Sequence, residues 1–417
     1  MLKIIKGAEQ ILTIMDNGVP RYGKAMSELD ILTDCSVVIE DEYIIDVINT
    51  KEGEKKYTDC EVIDAAGCVL MPGICDSHTH LVWAGSREDE FALRAKGASY
   101  MEIMNSGGGI LNTVNATRNI SFENLLEISH KRLNDVFRYG TTSIEIKSGY
   151  GLDLDTEIKQ LEVANSLKRF NPEIKTTFMG AHAKPLEFNN NEEYLDFLEK
   201  KVIPEVAKRK LADFIDIFCE KGVFTPEQAI KHLNEGKKYG LIPKIHADEL
   251  EYSEACEVAS IVGAISADHL LKASDEAIYN MKKNNVIATL LPATLFNLKS
   301  KDYQRARFMI DKAEVPVALA TDFNPGSCYC ENIFVTMHIA CQYNGMFAEE
   351  VIVASTLNGA YAMDLNKKCG SIQKGKLADI LIIDAPSYKF IPYHFGINPV
   401  KKTIKRGNIV SEKTCYH

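Results

Sequence analysis

Eight short, β-rich apolar runs alternate with longer amphipathic stretches through the middle of this chain. That alternation limits the fold more than any other feature. The runs are VLMPGICDSH, TTSIEIK, IKTTFMG, DFIDIFC, IPKIHA, AISADHL, NVIATLLP and VPVALATD. Between them lie segments such as SFENLLEISHKRLNDVFRYG and NEEYLDFLEKKVIPEVAKRK, whose apolar residues recur at helical spacing. Strand and helix in strict alternation build a parallel sheet, and eight such units close into an α/β fold, the (β/α)8 TIM barrel, of about 250 residues. The chain has 417 residues, so it has room for an accessory unit. Residues 1–70 hold the strand-like pieces LKIIKG, ILTI, CSVVIEDEYIIDVI and CEVIDAAG; residues 361–417 hold GSIQKGKLADILIID and KKTIKRGNIV. Neither end is patterned for a full core of its own. The two are expected to combine into one small composite β-sandwich domain beside a barrel spanning 71–360.

The net charge is -10, from 48 basic and 58 acidic residues. That balance argues against nucleic acid or an anionic membrane as the partner. No apolar run reaches the roughly 18 residues of a transmembrane helix, and MLKIIKGAEQ lacks the apolar stretch of a signal peptide. The 11 cysteines show no CxxC spacing, so they read as reduced thiols of a cytoplasmic protein rather than a disulfide framework. The lone CxC of Cys328 and Cys330 reads as packing.

The polar residues fall where a barrel keeps its chemistry. Residues i and i+2 of a strand share a face, so His78 and His80, in CDSHTH, aim together from the carboxyl end of the first run. The third run ends in GAHA with His182, and the fifth in HADE with His246 and Glu249. The sixth ends in SADH with His269, and the eighth in ATDFNPG with Asp322. Taken singly, each has an ordinary explanation: a hydrogen-bonded core histidine, or an aspartate capping a turn. Five of only 10 histidines at strand ends are harder to explain that way, because unpaired polar groups are costly to bury. One divalent metal held by His78, His80, His246 and Asp322 resolves the cost. Imidazole and carboxylate suit zinc or iron, and a catalytic site keeps a position open for water. A metal lowers the pKa of bound water from about 15.7 to about 7, a larger effect than the roughly 10²–10⁴-fold supplied by a side-chain base. Glu249 is then left to move protons.

MPGICDSHTH, HADE, SADH, ATDFNPG and the trailing GSIQKGKLADILIID together resemble the amidohydrolase superfamily, over nearly the whole chain. The most specific part is HTHLVWAGSREDEFALRAKGASYMEIMNSGGGI, with KSGYGL and GAHA. The resemblance implies hydrolysis of the ring amide of 4-imidazolone-5-propanoate to N-formimidoyl-L-glutamate, in histidine degradation, by hydroxide generated at the metal. It implies that Arg87 pairs with the substrate carboxylate, for which a planar guanidinium is suited. It places Tyr150 and His182 on the substrate, and Asn324, Gly326 and Ser327 on the ring or product. Glu249 shuttles the proton, and His269 steadies the attacking water or the oxyanion. Otherwise Arg87 is a solvated loop residue, Tyr150 a half-buried ring and NPGS a turn. The glycines 107–109 lack the lysine of a P-loop and read as a lid segment near the substrate.

Some superfamily members carry a carboxylated lysine after the fourth strand, bridging two metals. Here DIFCEKG puts Lys221 past that position, so one metal per chain is expected. A homodimer is expected because such enzymes commonly dimerise. The nearest alternative is a guanine-type deaminase of the same superfamily; Arg87 with Tyr150 suits an acidic tail that nucleobases lack. A non-catalytic scaffold on the same barrel is a different class, and the complete set of proposed ligands argues against it.

Overall fold

The computed structural model describes residues 1–97, 108–170 and 172–413. The eight runs are eight parallel strands: Ile74–Asp76, Thr141–Lys147, Glu173–Ala181, Phe214–Cys219, Ile242–Ala247, Ser266–His269, Ile287–Leu290 and Val317–Leu319. They lie side by side in chain order. The sheet closes between the first and last: Thr79 and Phe323 form a parallel bridge just beyond the strand ends. Thr321 donates from its N–H (3.0 Å) and its hydroxyl (2.6 Å) to the Asp76 carboxylate. The aspartate ahead of the paired histidines is therefore the clasp between strands one and eight.

Alternation along each strand sorts side chains between two environments. Ile144, Ile146, Ile215, Ile217, Ile245 and Ala267 belong to the apolar clusters under the helices. Burying such aliphatic side chains contributes about 1.5–3 kcal/mol each for the larger ones, and this glues the helical layer to the sheet. Their neighbours Glu145, Lys147, Asp216, Lys244 and Asp268 are buried too, but on the other face. The long helix Phe122–Arg138 starts where Ser121 caps the Asn124 N–H. The stretch predicted as one helix around 191–208 is continuous except for a π-turn at Leu198–Val202, next to Pro204.

Two further sheets lie outside the barrel. One has four strands in the order Tyr43–Asn49, Cys35–Glu40, Leu2–Lys6, Glu61–Asp64. The other has six: Asn408–Glu412, Val400–Lys405, Ile380–Ile383, Val69–Pro72, Gln10–Leu12, Ile31–Leu32. Ile5, Val37 and Ile63 of the first share one buried cluster with Ile11, Leu70, Ile380 and Ile404 of the second, so the two sheets pack face to face and draw on both ends of the chain. VLMPGICDSH departs from its reading as a single strand. Val69–Met71 pair with the C-terminal strand Ile380–Ile383, and only Ile74–Asp76 enter the barrel. The break falls at Gly73, where a Cβ would sit 2.2 Å from Thr142 Oγ1. The glycine run at 107–109 lies partly outside the described residues; of the two described, Gly109 donates its N–H to Glu90 Oε1 (2.8 Å). The ten described cysteines are all free. Among the described residues no helix is long and apolar enough to cross a membrane.

Gly359, in the helix Leu357–Ala362, packs directly on the first barrel strand: a Cβ there would lie 2.3 Å from the Cys75 carbonyl oxygen. Alanine in place of a helical glycine gains about 1 kcal/mol in propensity, whereas overpacking costs about 1–3 kcal/mol. The contact is to backbone, which cannot rotate away, so the clash should win. Gly359→Ala is expected to lower the denaturant midpoint; an unchanged or higher midpoint would show that strand and helix separate freely.

Candidate active site

The loops after strands one and eight are zipped together. Asp322 N–H donates to His78 O (3.0 Å), and His80 N–H donates to Phe323 O (2.9 Å). This register puts Asp322 Oδ1 at 3.5 Å from His78 Nε2 and 3.8 Å from His80 Nε2. Asp322 adopts a left-handed backbone, φ 52°, as does His269 with φ 78°. A non-glycine residue there is uncommon and persists only where its surroundings impose it. Thr294 donates to the other carboxylate oxygen of Asp322 (2.7 Å).

His246, at the end of strand five, completes the group. His78, His80 and His246 each present a ring nitrogen, and these atoms lie within 4.8 Å of one another. Asp268 Oδ2 lies 2.6 Å from His78 Nδ1, and Asp216 Oδ2 lies 2.9 Å from His246 Nδ1. With Nδ1 held by a carboxylate, the second nitrogen of His78 is buried without a hydrogen bond among the described residues. Such an atom, facing a second imidazole and a carboxylate, fits a divalent cation, and a carboxylate behind a histidine is the usual support of a metal ligand.

The remaining predicted residues surround this group. His182 stacks on His80 at 5.1 Å between ring centroids, and Tyr150 lies 5.7 Å from His80 and 5.5 Å from His182. The His182 Nδ1 lies 3.2 Å from the Gly149 carbonyl. Glu249 Oε2 is 3.5 Å from His269 Nε2. Arg87 is gripped by Glu90, with Nε at 2.9 Å and Nη2 at 2.8 Å from Oε2. It fits against Gly326 so closely that a Cβ there would meet Arg87 Nη1 at 2.0 Å. Asn324 spends its side chain on its own loop: Oδ1 accepts from the N–H groups of Gly326 and Ser327, and Nδ2 donates to Asp322 O and Ser327 Oγ. These bonds shape the turn that receives Arg87. Lys221 points to solvent, with 70% of its side chain exposed, and pairs with Glu251 (2.8 Å).

Burial shapes the protonation states. Burial first, and then repulsion among the rings and Lys147, hold His78, His80 and His246 well below the usual histidine range. Burial likewise lowers His182 and His269 to about 4, so all five are neutral near pH 7. Burial pushes Asp322 up to about 7, outweighing the Thr294 hydrogen bond. It raises Glu249 well above the carboxylate range, helped by Asp322 and Glu220.

The model of the amidohydrolase family matches residues 69–410. The imidazolonepropionase of Clostridium tetani is 46% identical over 415 residues, 99% of this chain and 98% of that protein. That of Geobacillus kaustophilus is 47% identical over 413 residues, 97% of each. This chain belongs to the imidazolonepropionase family. Solved structures agree on the fold: guanine deaminase of E. coli superposes with TM-score 0.75 at 16% identity, covering 99% of this chain and all of that one. An adenosine deaminase from Xanthomonas campestris with bound zinc gives 0.71 at 16%, covering 98% and 92%. At that identity the likeness is one of fold alone, and the deaminase alternative gains nothing from it.

Sequence reasoning missed the partners behind the imidazolonepropionase site: Asp216, Asp268, Lys147, Glu145 and Thr294. A signal was present. Charged residues inside otherwise apolar strands, as in TTSIEIK, DFIDIFC and IPKIHA, cannot face the helices and must face the barrel interior.

With the histidines already neutral, the proton that competes with a cation is the one on Asp322. That carboxyl is protonated below about 7 in the metal-free protein and free to ligate above it. Zinc affinity of metal-free protein, measured by chelator competition, should weaken as pH falls from 8 to 6, approaching about tenfold per pH unit once below 7. A flat profile would contradict the role of Asp322 as a ligand.

Proposed function

We propose that this protein hydrolyses the ring amide of 4-imidazolone-5-propanoate to N-formimidoyl-L-glutamate, the ring-opening step of histidine degradation. The observation that carries the reading is identity of 44–47% with imidazolonepropionases along nearly the whole chain. The amidohydrolase match and the histidine-rich site support a hydrolase of carbon–nitrogen bonds in cyclic amides.

His78, His80, His246 and Asp322 would hold one zinc or iron ion per chain. The donor set suits both metals, and Lys221, the lysine of the loop just after strand four, faces solvent rather than a second metal position. When bound, the ion supplies Lewis acidity to the ring carbonyl and acidifies water. The rest falls to the chain itself. Glu249, buried and with a raised proton affinity, takes the proton from the attacking water and delivers it to the departing ring nitrogen. Water thus adds to the carbonyl carbon as the carbon–nitrogen bond breaks. His269, neutral and 3.5 Å from Glu249, donates toward the water or the developing oxyanion. Tyr150 and His182 flank the ring, and Arg87 binds the propionate. Gly326, Ser327 and Asn324 complete that wall of the pocket. The protein acts in the cytoplasm, as a homodimer, on a small anionic substrate rather than on nucleic acid or membrane.

Glu249→Gln should lower kcat by about 10²–10⁴-fold while metal content stays at one ion per chain; full turnover would remove Glu249 from the proton path. Arg87→Met should raise KM for imidazolone propanoate by on the order of 10²-fold, the scale of losing one partner of a desolvated charge pair, with kcat much less affected. The assay pairs imidazolone propanoate with guanine as substrates, and turnover of guanine alone would overturn the proposed reaction.

A further inference from the structure

Beneath the metal-type site lies a sealed cluster of charge. Lys147, Lys244, Glu145, Asp216 and Asp268 project from strands two, four, five and six, and none of their side chains is exposed. Lys147 Nζ lies 2.7 Å from Glu145 Oε1, 2.7 Å from Asp216 Oδ2 and 3.5 Å from Asp268 Oδ2. Lys244 pairs with the other oxygen of Glu145 and donates to the Ser77 carbonyl (3.0 Å). Asp216 faces His246 twice, across Nδ1 (2.9 Å) and through its backbone N–H (3.1 Å). Asp268 faces His78 Nδ1 (2.6 Å) and accepts from Ser266 (2.7 Å). One ammonium therefore stands between the two carboxylates that lie against two of the three clustered imidazoles.

Packing does not require this arrangement. Buried ion pairs are often matched or bettered in stability by apolar side chains of equal volume. Two carboxylates in a dry interior repel each other, and without a cation between them each is driven away from the ring it supports.

We propose that Lys147 is a positioning residue that sets His78 and His246 together, acting through Asp268 and Asp216, so that both rings present a nitrogen to the same point. The proposal rests on the metal-site reading above. Carboxylates behind metal-ligating histidines typically carry about 10–100-fold in metal affinity, and Lys147 should carry a similar share because it governs two of them.

The experiment measures zinc affinity by chelator competition, and thermal unfolding, on metal-free wild type, Lys147→Met, Asp216→Asn and the double variant. Lys147→Met should bind zinc about 10–100-fold more weakly. The double variant should bind within about twofold of the weaker single variant, because both changes break one path. Wild-type zinc affinity in Lys147→Met, even with a lowered unfolding midpoint, would make the lysine merely structural and overturn the proposal; so would strictly additive losses. If Lys147→Met does not fold, Asp216→Asn and Asp268→Asn, which keep the lysine, carry the test: each should lose about 10–100-fold, and native affinity in both would overturn it. A wild-type protein that takes up no zinc or iron would instead overturn the metal-site reading.

Discussion

Everything at the catalytic mouth hangs on how the first and last strands of the barrel meet. Strand one is only Ile74–Asp76 and strand eight only Val317–Leu319, too short to hold a sheet edge together by a long ladder. The seam is made instead by polar ties: Asp76 to Thr321, His78 O to the Asp322 N–H, and the His80 N–H to Phe323 O. The same backbone hydrogen bonds that close the barrel bring Asp322 to the paired imidazoles. Closure and site assembly are one event, so a chain that failed to close would have no site.

Inside the seam the barrel is polar, and outside it is apolar. Period-two alternation enforces the split, because Glu145 and Lys147 cannot share a face with Ile144 and Ile146. The outer face binds helices through area buried, a non-directional force. The inner face works through direction: Asp268 and Asp216 lie against the rings of His78 and His246, and His78, His80 and His246 present ring nitrogens within 4.8 Å of one another. Burial then does electrostatic work, keeping the five histidines neutral and raising Glu249 and Asp322. A dication placed there would reverse the logic for Asp322 and stabilise its charge.

Much of this was legible beforehand. The eight runs are the eight strands, and the histidines of HTH, GAHA, HADE and SADH, with the aspartate of ATDF, converge. Strand ends are readable because apolar runs stop abruptly at polar residues. VLMPGICDSH misled as a single strand, since an apolar run carries no mark of which sheet it joins; Gly73 divides it, with Val69–Pro72 pairing to the C-terminal strands. The Asn324 side chain hydrogen-bonds within its own turn, a use that depends on backbone geometry no motif displays.

By itself, the sequence determined the barrel class, the β-rich ends and the residue types able to hold a metal and move a proton. These follow from periodicity and from the chemistry of side chains, which are local properties. Only the tertiary structure decided which groups stand behind the site. Lys147 reaches Asp216 across 69 residues of sequence, and His78 reaches Asp268 across 190. Such pairings come from closing the sheet into a ring, which gives every inward-facing side chain neighbours that spacing along the chain does not encode.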